Sequence, residues 1–478
     1  MESIWKQTIN LPAREPLRSD ITADACIIGA GMSGLLTAFF LQEKGLKTVV
    51  IDADRTAGGV TQNTTAKISS QHGMIYHKLL NGLGEEKARN YAKANQAAIQ
   101  KYKDLIAQNN IECGFEMLSA YLYSLDDEKG LQNEAEAARK AGIPADVVQD
   151  IPLPFPTKGA VVFPDQAQFN PLQFLSAVSR NLTIYEQTAA QNAEEDIVYT
   201  NGGKIHARFI VIATHYPFIN TPGFYFVKMH QQRSYVVALQ NAGQLGGMYR
   251  DAKEEGFSFR NYKDALLLGG GSHRTGENET GGKYDLLRHA GHLWFPQATE
   301  IAAWSAQDCM TLDSVPYIGQ YSIATPHWYV ATGFNKWGMT GSMVAATILS
   351  SQIAGVKCDY SEVFSPQRMD IAASAKKLFQ NTAQVAEGLA KEIFEIPAEN
   401  LAGILHGDAG IIEYKGHKMG VYKTDDGEVH VVSTKCTHLG CQLAWNPDEK
   451  SWDCPCHGSR FDYKGNLLTG PAMKGIRP

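Results

Sequence analysis

The sequence predicts an α/β fold: a parallel, helix-covered sheet interleaved with an α+β domain, then a small all-β domain at the C-terminus. Three observations carry this. A short apolar strand, a glycine-rich turn, a helix and a second strand follow one another over residues 22–52. Helix-like and strand-like segments then alternate through the middle of the chain. After His406 short strand-like runs take over and carry two loops rich in cysteine and histidine.

The N-terminal unit reads as Asp24–Ile28 (strand), Gly29-Ala-Gly31-Met-Ser-Gly34, Leu35–Lys44 (helix), Thr48–Ile51 (strand) and Asp52. Gly29 makes the turn, Gly31 lets backbone approach a pyrophosphate, and Gly34 lets the helix pack on the strand. The helix N-terminus then faces phosphate charge, and Asp52 can hydrogen-bond a ribose hydroxyl. This is a Rossmann-like dinucleotide site, and the fingerprint alone fits FAD or NAD.

Three later stretches favour FAD. Gly58-Gly59-Val-Thr61 and the following Asn63-Thr-Thr-Ala-Lys67 form a glycine-opened segment suited to lying along a flavin. Lys204–Ala213 reads as a strand pair closing on Val211-Ile-Ala213-Thr214. Gly333-Phe-Asn-Lys336-Trp337-Gly338-Met339 precedes a small-residue helix, Ser342–Ser350. The start of that helix offers N–H groups and a positive dipole end to the flavin pyrimidine.

With these stretches, and with Asp313-x-x-Pro316-x-x-Gly319, residues 20–372 resemble the D-amino-acid-oxidase (DAO-type) family of FAD-dependent oxidoreductases. One departure is His215, where many relatives carry Gly after Ala-Thr. The resemblance implies a discontinuous FAD-binding domain (residues 20–73, 151–215 and 306–372) and a substrate domain (74–150 and 216–305). Helices are expected over Glu85–Asn110 and Glu128–Gly142, with strands at Ser234–Leu239 and Ala265–Gly269. Ile151-Pro-Leu-Pro-Phe-Pro156 reads as a rigid connector between them. Lys67, beside the flavin segment, is the leading catalytic candidate, with a solvated lysine as the alternative. His72 could serve as a base or be an ordinary hydrogen-bonded histidine. Arg233 and Arg260 lie where such enzymes clamp a substrate carboxylate, or are structural ion pairs. Cys309 reads as a buried thiol.

Residues 373–405 read as an amphipathic helical linker packed on the FAD domain, and residues 406–478 as the β domain. Its strands are expected at Gly410–Tyr414, His417–Tyr422 and Gly427–Val432. Its loops are Cys436-Thr-His438-Leu-Gly-Cys441 and Cys454-Pro-Cys456-His457-Gly-Ser459. Two thiolates and two imidazoles, one of each per loop, suit a [2Fe–2S] centre with histidines on one iron; a Cys2His2 zinc site needs the same ligands. The stretch resembles the Rieske iron–sulfur signature. By that resemblance Cys436 and Cys454 hold one iron and His438 and His457 the outer one, with the histidines facing solvent or a partner. Cys441 and Cys456 match the disulfide of high-potential Rieske proteins; two packed thiols are the alternative in a reducing compartment. Ser459 matches one of two hydroxyls that hydrogen-bond the cluster in respiratory relatives. Phe461 stands in place of the second and has no donor. The resemblance also implies a closing strand after Gly470-Pro-Ala472, so this domain reads as minimal or shortened.

The 478 residues carry 44% hydrophobic and 20% charged side chains, which are globular values, and a net charge of −6 without a basic stripe argues against nucleic acid. No apolar run is long enough for a membrane span and the N-terminus lacks a signal pattern, so a cytoplasmic location is expected. The parts together imply a dehydrogenase of an amine or amino-acid-like small molecule. It would pass electrons from FAD through a Rieske cluster to an unidentified acceptor. A redox sensor or electron-transfer module without turnover is the alternative. A Rieske oxygenase-like enzyme is not expected: such enzymes place a catalytic iron domain after the cluster, and no two-His-one-carboxylate set is evident in this sequence.

Overall fold

In the computed structural model residues 2–368, 383–391 and 401–478 are described. The expected glycine-fingerprint unit forms with strand Ile21–Ile28, helix Met32–Glu43 and strand Thr48–Ile51. Ile21–Ile28 is the centre of a sheet whose order runs Tyr317–Ser322, Thr325–Thr332, Lys204–Ile212, Ile21–Ile28, Thr48–Ile51, Ile184–Tyr185. Its inner pairs are parallel, with Ala25 facing Phe209 on one side and Thr48 on the other. Both faces are covered, so the central strand is apolar almost throughout and Ala25, Cys26 and Ile27 are fully buried. Lys204–Ile212 is one continuous strand, not the expected strand pair. The turn lies just before it, at Asn201-Gly-Gly203, and the hairpin partner is Ile197–Thr200.

A nine-stranded sheet forms the second layer, ordered Thr299–Thr311, Met229–Gln240, Ala265–Arg274, Ser258–Tyr262, Met248–Asp251, Glu116–Tyr123, Ala160–Gln168, Lys67–Ile68, with Asp146–Val148 attached to Ala160–Gln168. It recruits Lys67–Ile68 and Ala160–Gln168 from segments assigned by sequence to the other layer, so the two sheets share chain more intimately than the expected division. Helices Glu85–Gln108 and Glu128–Lys140 lie where periodicity puts them. Each buries an alanine-rich stripe, Ala88, Ala92 and Ala98 on the first and Ala135 and Ala138 on the second. Helix Gly338–Ile353 begins four residues earlier than expected and is nearly all buried against Met32–Glu43.

The C-terminal β domain has a three-stranded sheet (Ala409–Tyr414, His417–Lys423, Val429–Ser433) and a four-stranded one (Ala444–Asn446, Ser451–Asp453, Arg460–Asp462, Leu467–Thr469). Trp452, Phe461, Val432 and Leu443 fill its core. Residues 383–391 are helical. They pack on this domain rather than on the FAD layer: Val385 joins its core, and Gly388 is so close that a Cβ there would meet Cys456 Sγ at 2.7 Å. Of the rest of the expected linker helix, Leu401–Gly403 forms a short 3-10 turn, and residues 373–382 and 392–400, including Leu378, Phe379 and Ile393, lie outside the described residues.

Candidate active site and metal centre

A cavity of about 690 Å³ runs between the two sheets, and residues 467–473 of the C-terminal domain form part of its wall. At one end the glycine fingerprint is built as its spacing demands. Gly29 adopts φ +112°, and a Cβ there would meet the Ala213 carbonyl oxygen at 2.5 Å. A Cβ on Gly34 would meet the Gly29 carbonyl oxygen at 1.9 Å, so Gly34 is a packing glycine behind the cavity. The Met32 amide donates to Thr61 Oγ1 (3.1 Å), and the Asp52 carboxylate accepts from the Ala30 (2.7 Å) and Asp54 (2.9 Å) amides. Gly31, Asp52, Gly59 and Thr61 all line the cavity, a backbone-walled cradle that fits a dinucleotide.

At the other end Lys67, Lys336, Trp337, Gly338 and Met339 line it too, with the helix Gly338–Ile353 opening there. Gly333 does not: at φ +71° its Cβ would meet Thr311 Cγ2 at 2.3 Å, so it is required for packing and not for contact. Burial lowers the Lys67 ammonium to about 7, helped by Arg260 and Arg250. Burial likewise lowers Lys336 to about 8, and its Nζ donates to Ser272 Oγ at 2.8 Å. His215 lines the cavity with φ +65°, a left-handed backbone at the position where relatives carry glycine.

For three catalytic candidates the structure fits the alternative, structural reading. His72 lies behind the cavity, stacked on Trp337 at 4.7 Å. Its Nδ1 pairs with the Tyr91 hydroxyl and its Nε2 with the Ser69 carbonyl, both at 2.6 Å, and burial pushes it down to about 3. With both nitrogens engaged it positions Trp337 and takes no proton. Arg260 is fully buried, donating to the Thr65 and Ala66 carbonyls at 2.8 Å beneath Trp5. Arg233 points away from the cavity. Successive residues of a strand face opposite sides: Ser234 lines the cavity, whereas Arg233 reaches the C-terminal domain and binds Glu449 (Nε to Oε1, 3.2 Å).

Two residues not anticipated from sequence sit in the cavity instead. Arg250 stands 5.7 Å from the Trp337 ring, and its buried Nε has no partner among the described residues. Asp308 is raised to about 6 by burial, against the pull of Lys336, Arg233 and Arg250. Nothing in their neighbourhoods distinguishes them; strand register alone turns them inward.

The two Cys/His loops are built alike. Gly440 N donates to the Cys436 carbonyl (3.0 Å) and Gly458 N to the Cys454 carbonyl (2.9 Å), and both glycines have positive φ, +86° and +82°. The Cys436 and Cys454 thiols are in hydrogen-bond contact, which lowers Cys436 and raises Cys454. The His438 and His457 rings lie 4.9 Å apart, and both Nδ1 atoms are buried without a partner among the described residues. Burial keeps them neutral, at about 4 and about 3, as metal ligation requires. Two thiols in contact and two orphaned imidazole nitrogens on neighbouring rings fit a two-cysteine, two-histidine cluster. The Cys441 and Cys456 sulfurs are at bonding distance, 2.21 Å, within 4.8 Å of Cys454 Sγ; since they are spent on each other, that sulfur trio is not a ligand set.

The two histidines differ: His457 turns inward, and His438 stays half-buried. His457 is 2% exposed. Gln231 Nε2 donates to the His457 and Gly470 carbonyls (2.8 and 3.1 Å), Gln307 Nε2 to the Gly458 carbonyl (2.7 Å), and Arg274 Nε to the Pro455 carbonyl (3.1 Å). His438 Nε2 pairs with Asn220 Oδ1 at 3.0 Å, and the Phe226 ring stands against both imidazoles. The expectation of histidines facing solvent or a partner is corrected for His457, which is buried, and His438 too contacts the chain's own flavin-side layer through Asn220.

Comparison with protein families matches residues 24–352 to the FAD dependent oxidoreductase family DAO and residues 395–478 to the Rieske [2Fe-2S] domain. The chain is similar over its whole length to the Rieske 2Fe-2S iron-sulfur protein YhfW of Bacillus subtilis (strain 168), with 36% identity, covering 100% of this chain and 97% of the relative. A cytochrome b6-f complex iron-sulfur subunit of Synechococcus elongatus is 36% identical over 21% of this chain and 51% of its own. In fold, the chain is similar to glycine oxidase from Geobacillus kaustophilus (TM-score 0.62, 17% identity, 73% of this chain and 99% of that one). It is equally similar to L-proline dehydrogenase from P. horikoshii (TM-score 0.62, 17% identity, 74% and 98%). FAD and a [2Fe-2S] cluster are therefore the cofactors, and the chain belongs to the DAO family of FAD dependent oxidoreductases, with a Rieske domain at its C-terminal end.

Proposed function

We propose that the protein is a dehydrogenase of an amine or amino-acid-like substrate that hands its electrons through the Rieske cluster to an external acceptor. The observation that carries this is the docking: the histidine edge of the metal site is turned onto the flavin-side layer, and residues 467–473 wall the same cavity as Lys67 and Trp337. FAD supplies a two-electron hydride acceptor and the cluster a one-electron carrier. The chain's own residues do the rest. Arg250, with its unpartnered Nε, and Lys336 give the cavity the charge to hold a carboxylate-bearing substrate. Lys67 Nζ, near 7, is poised to take the proton released from the substrate nitrogen. Trp337, braced by His72, fixes the ring wall against which the substrate is oriented.

Cys436, His438, Cys454 and His457 are the cluster ligands in this reading, and the Cys441–Cys456 bond ties their loops, shielded by Gly388. The acceptor reaches the cluster through His438, which is only half-buried and flanked by the exposed Leu439. No described helix is long and apolar enough to cross a membrane, and we read the protein as cytoplasmic.

The test is an anaerobic screen of amines and amino acids with flavin and cluster absorbance followed together. Substrate should bleach the flavin first and the cluster next. A flavin that no substrate bleaches would favour the redox-module alternative. A bleached flavin beside a permanently oxidised cluster would remove the conduit.

A further inference from the structure

The cavity floor carries two opposite charges that nothing in the chain satisfies. Strands Thr299–Thr311, Met229–Gln240, Ala265–Arg274, Ser258–Tyr262 and Met248–Asp251 lie side by side in that order. Across them the residues lining the cavity include Asp308, Ser234, Ser272, Ser258 and Arg250, one from each strand. Asp308 faces inward by alternation: Ala306, two residues earlier, lines the cavity too, whereas Gln307 between them donates to the Gly458 carbonyl of the cluster domain. In the middle of the row Ser234 Oγ pairs with Ser272 Oγ at 3.2 Å, and Ser272 Oγ accepts from Lys336 Nζ at 2.8 Å. The two ends have no such partners. Among the described residues neither the Asp308 carboxylate nor the Arg250 guanidinium makes a hydrogen bond or an ion pair, with each other or with any third group.

A charge withdrawn from water without a partner is costly, so a matched pair of them on one cavity floor marks a ligand that completes both. The balance of charge says what kind. Among the described lining residues Asp308 is the single acid at this end, beside Lys67, Lys336 and Arg250, while Asp52 and Asp54 belong to the glycine-fingerprint end. Burial raises the Asp308 carboxyl to about 6, so at neutral pH it is an anion. A plain carboxylate would satisfy Arg250 and leave Asp308 bare. A plain amine would satisfy Asp308, leave Arg250 bare and meet the repulsion of the neighbouring cations.

We propose that the cavity takes its substrate as a zwitterion, with the carboxylate on Arg250 and the cationic nitrogen on Asp308 across the serine floor. The proposal rests on the reading of this cavity as an amine or amino-acid site, and it adds the residue that reads the nitrogen. Asp308 is a positioning residue for the substrate: it holds the nitrogen in place, and Lys67 remains the proton acceptor. Amines without an acid and acids without an amine are both poor ligands, because each leaves one end of the floor unpaired.

The experiment is anaerobic titration of the full-length FAD-loaded protein by rapid mixing, reading the shift of the flavin absorbance bands before any bleaching. The probes are 2-aminopentanoate and 5-aminopentanoate as zwitterions, pentanoate as the acid alone and pentylamine as the amine alone. The wild type should bind one zwitterion at least about tenfold more tightly than pentanoate or pentylamine. Asp308→Asn should weaken that zwitterion and pentylamine by roughly ten- to a hundredfold, the worth of a charge-assisted contact, and leave pentanoate as tight or tighter. Arg250→Met should do the reverse, weakening the zwitterion and pentanoate and sparing pentylamine. Asp308→Glu should recover part of the loss, and Asp308→Ser stands in if Asp308→Asn fails to fold. A zwitterion that binds no better than its halves, or one whose binding survives Asp308→Asn, would overturn the proposal. So would a variant that weakens pentanoate as much as pentylamine, or one that releases FAD with the ranking of ligands unchanged, which would give the carboxylate to the cofactor. Intact ranking with a flavin that no ligand bleaches would instead remove the dehydrogenase reading and leave the zwitterion site standing.

Discussion

Replacing Arg233 with Met severs the flavin-side arm of a buried ion network that spans the two domains. Arg233 and Glu449 are only 5% and 10% exposed, and Glu449 also binds Arg460, itself paired with Asp453. At this depth solvent screens the pair weakly, and removing one partner of a buried pair costs about 3–5 kcal/mol. Arg460 remains to compensate Glu449, so we expect the lower end, about 3 kcal/mol. At about 1.4 kcal/mol per tenfold, the undocked population should rise on the order of 100-fold. Acid should mimic the substitution. Burial alone would raise the Glu449 carboxyl, but Arg233 and Arg460 hold it at about 2 against an ordinary 4.5, a gap equivalent to roughly 3 kcal/mol. Because the folded value is depressed, that stabilisation is full above about pH 4.5 and drains away as pH falls toward 2. Hydrogen exchange of peptides covering residues 454–459 and 470–472 reports docking, and stopped-flow absorbance reports transfer from flavin to cluster. Arg233→Met should accelerate the first and slow the second. Unchanged exchange together with wild-type transfer would refute the clamp.

Three further outcomes are expected. Lys67→Met should lower turnover about 10²–10⁴-fold; because Lys67 must be neutral to accept a proton, the wild-type rate should rise with pH through about 7 and the variant should lose that limb. Arg250→Met should raise KM for carboxylate substrates by one to two orders of magnitude, as loss of a charge-assisted pair of about 1.5–3 kcal/mol implies, with kcat less affected. His457→Ser should abolish the cluster's electron paramagnetic resonance signal and stop steady-state transfer to an external acceptor, while anaerobic bleaching of flavin by substrate persists.

The parts of the site that were legible in the sequence are those made by local chain geometry. Gly29, Gly31 and Gly34 act within one turn, and each cluster loop closes on itself through Gly440 or Gly458, so spacing alone announces them. What escaped is set by register between distant strands. Arg233 and Ser234 are neighbours in sequence but face different domains, and Arg250 enters the cavity because its strand pairs with Ser258–Tyr262. The inward docking of the histidines escaped for the same reason: Gln231, Asn220, Arg274 and Gln307 carry no signature and act only once the sheets are assembled. The linker misled because amphipathic spacing reveals that a helix has a buried face, not which neighbour buries it.

Residues 467–473 belong to the cluster domain yet form part of the wall of the flavin chamber. The reaction vessel is thus assembled from two modules and is complete in neither. A flavin half expressed alone would be a chamber with one side missing, open to water and dioxygen, and its chemistry would describe a different enclosure. A cluster domain borrowed from another protein would bring a different wall to the same cavity and so change its shape.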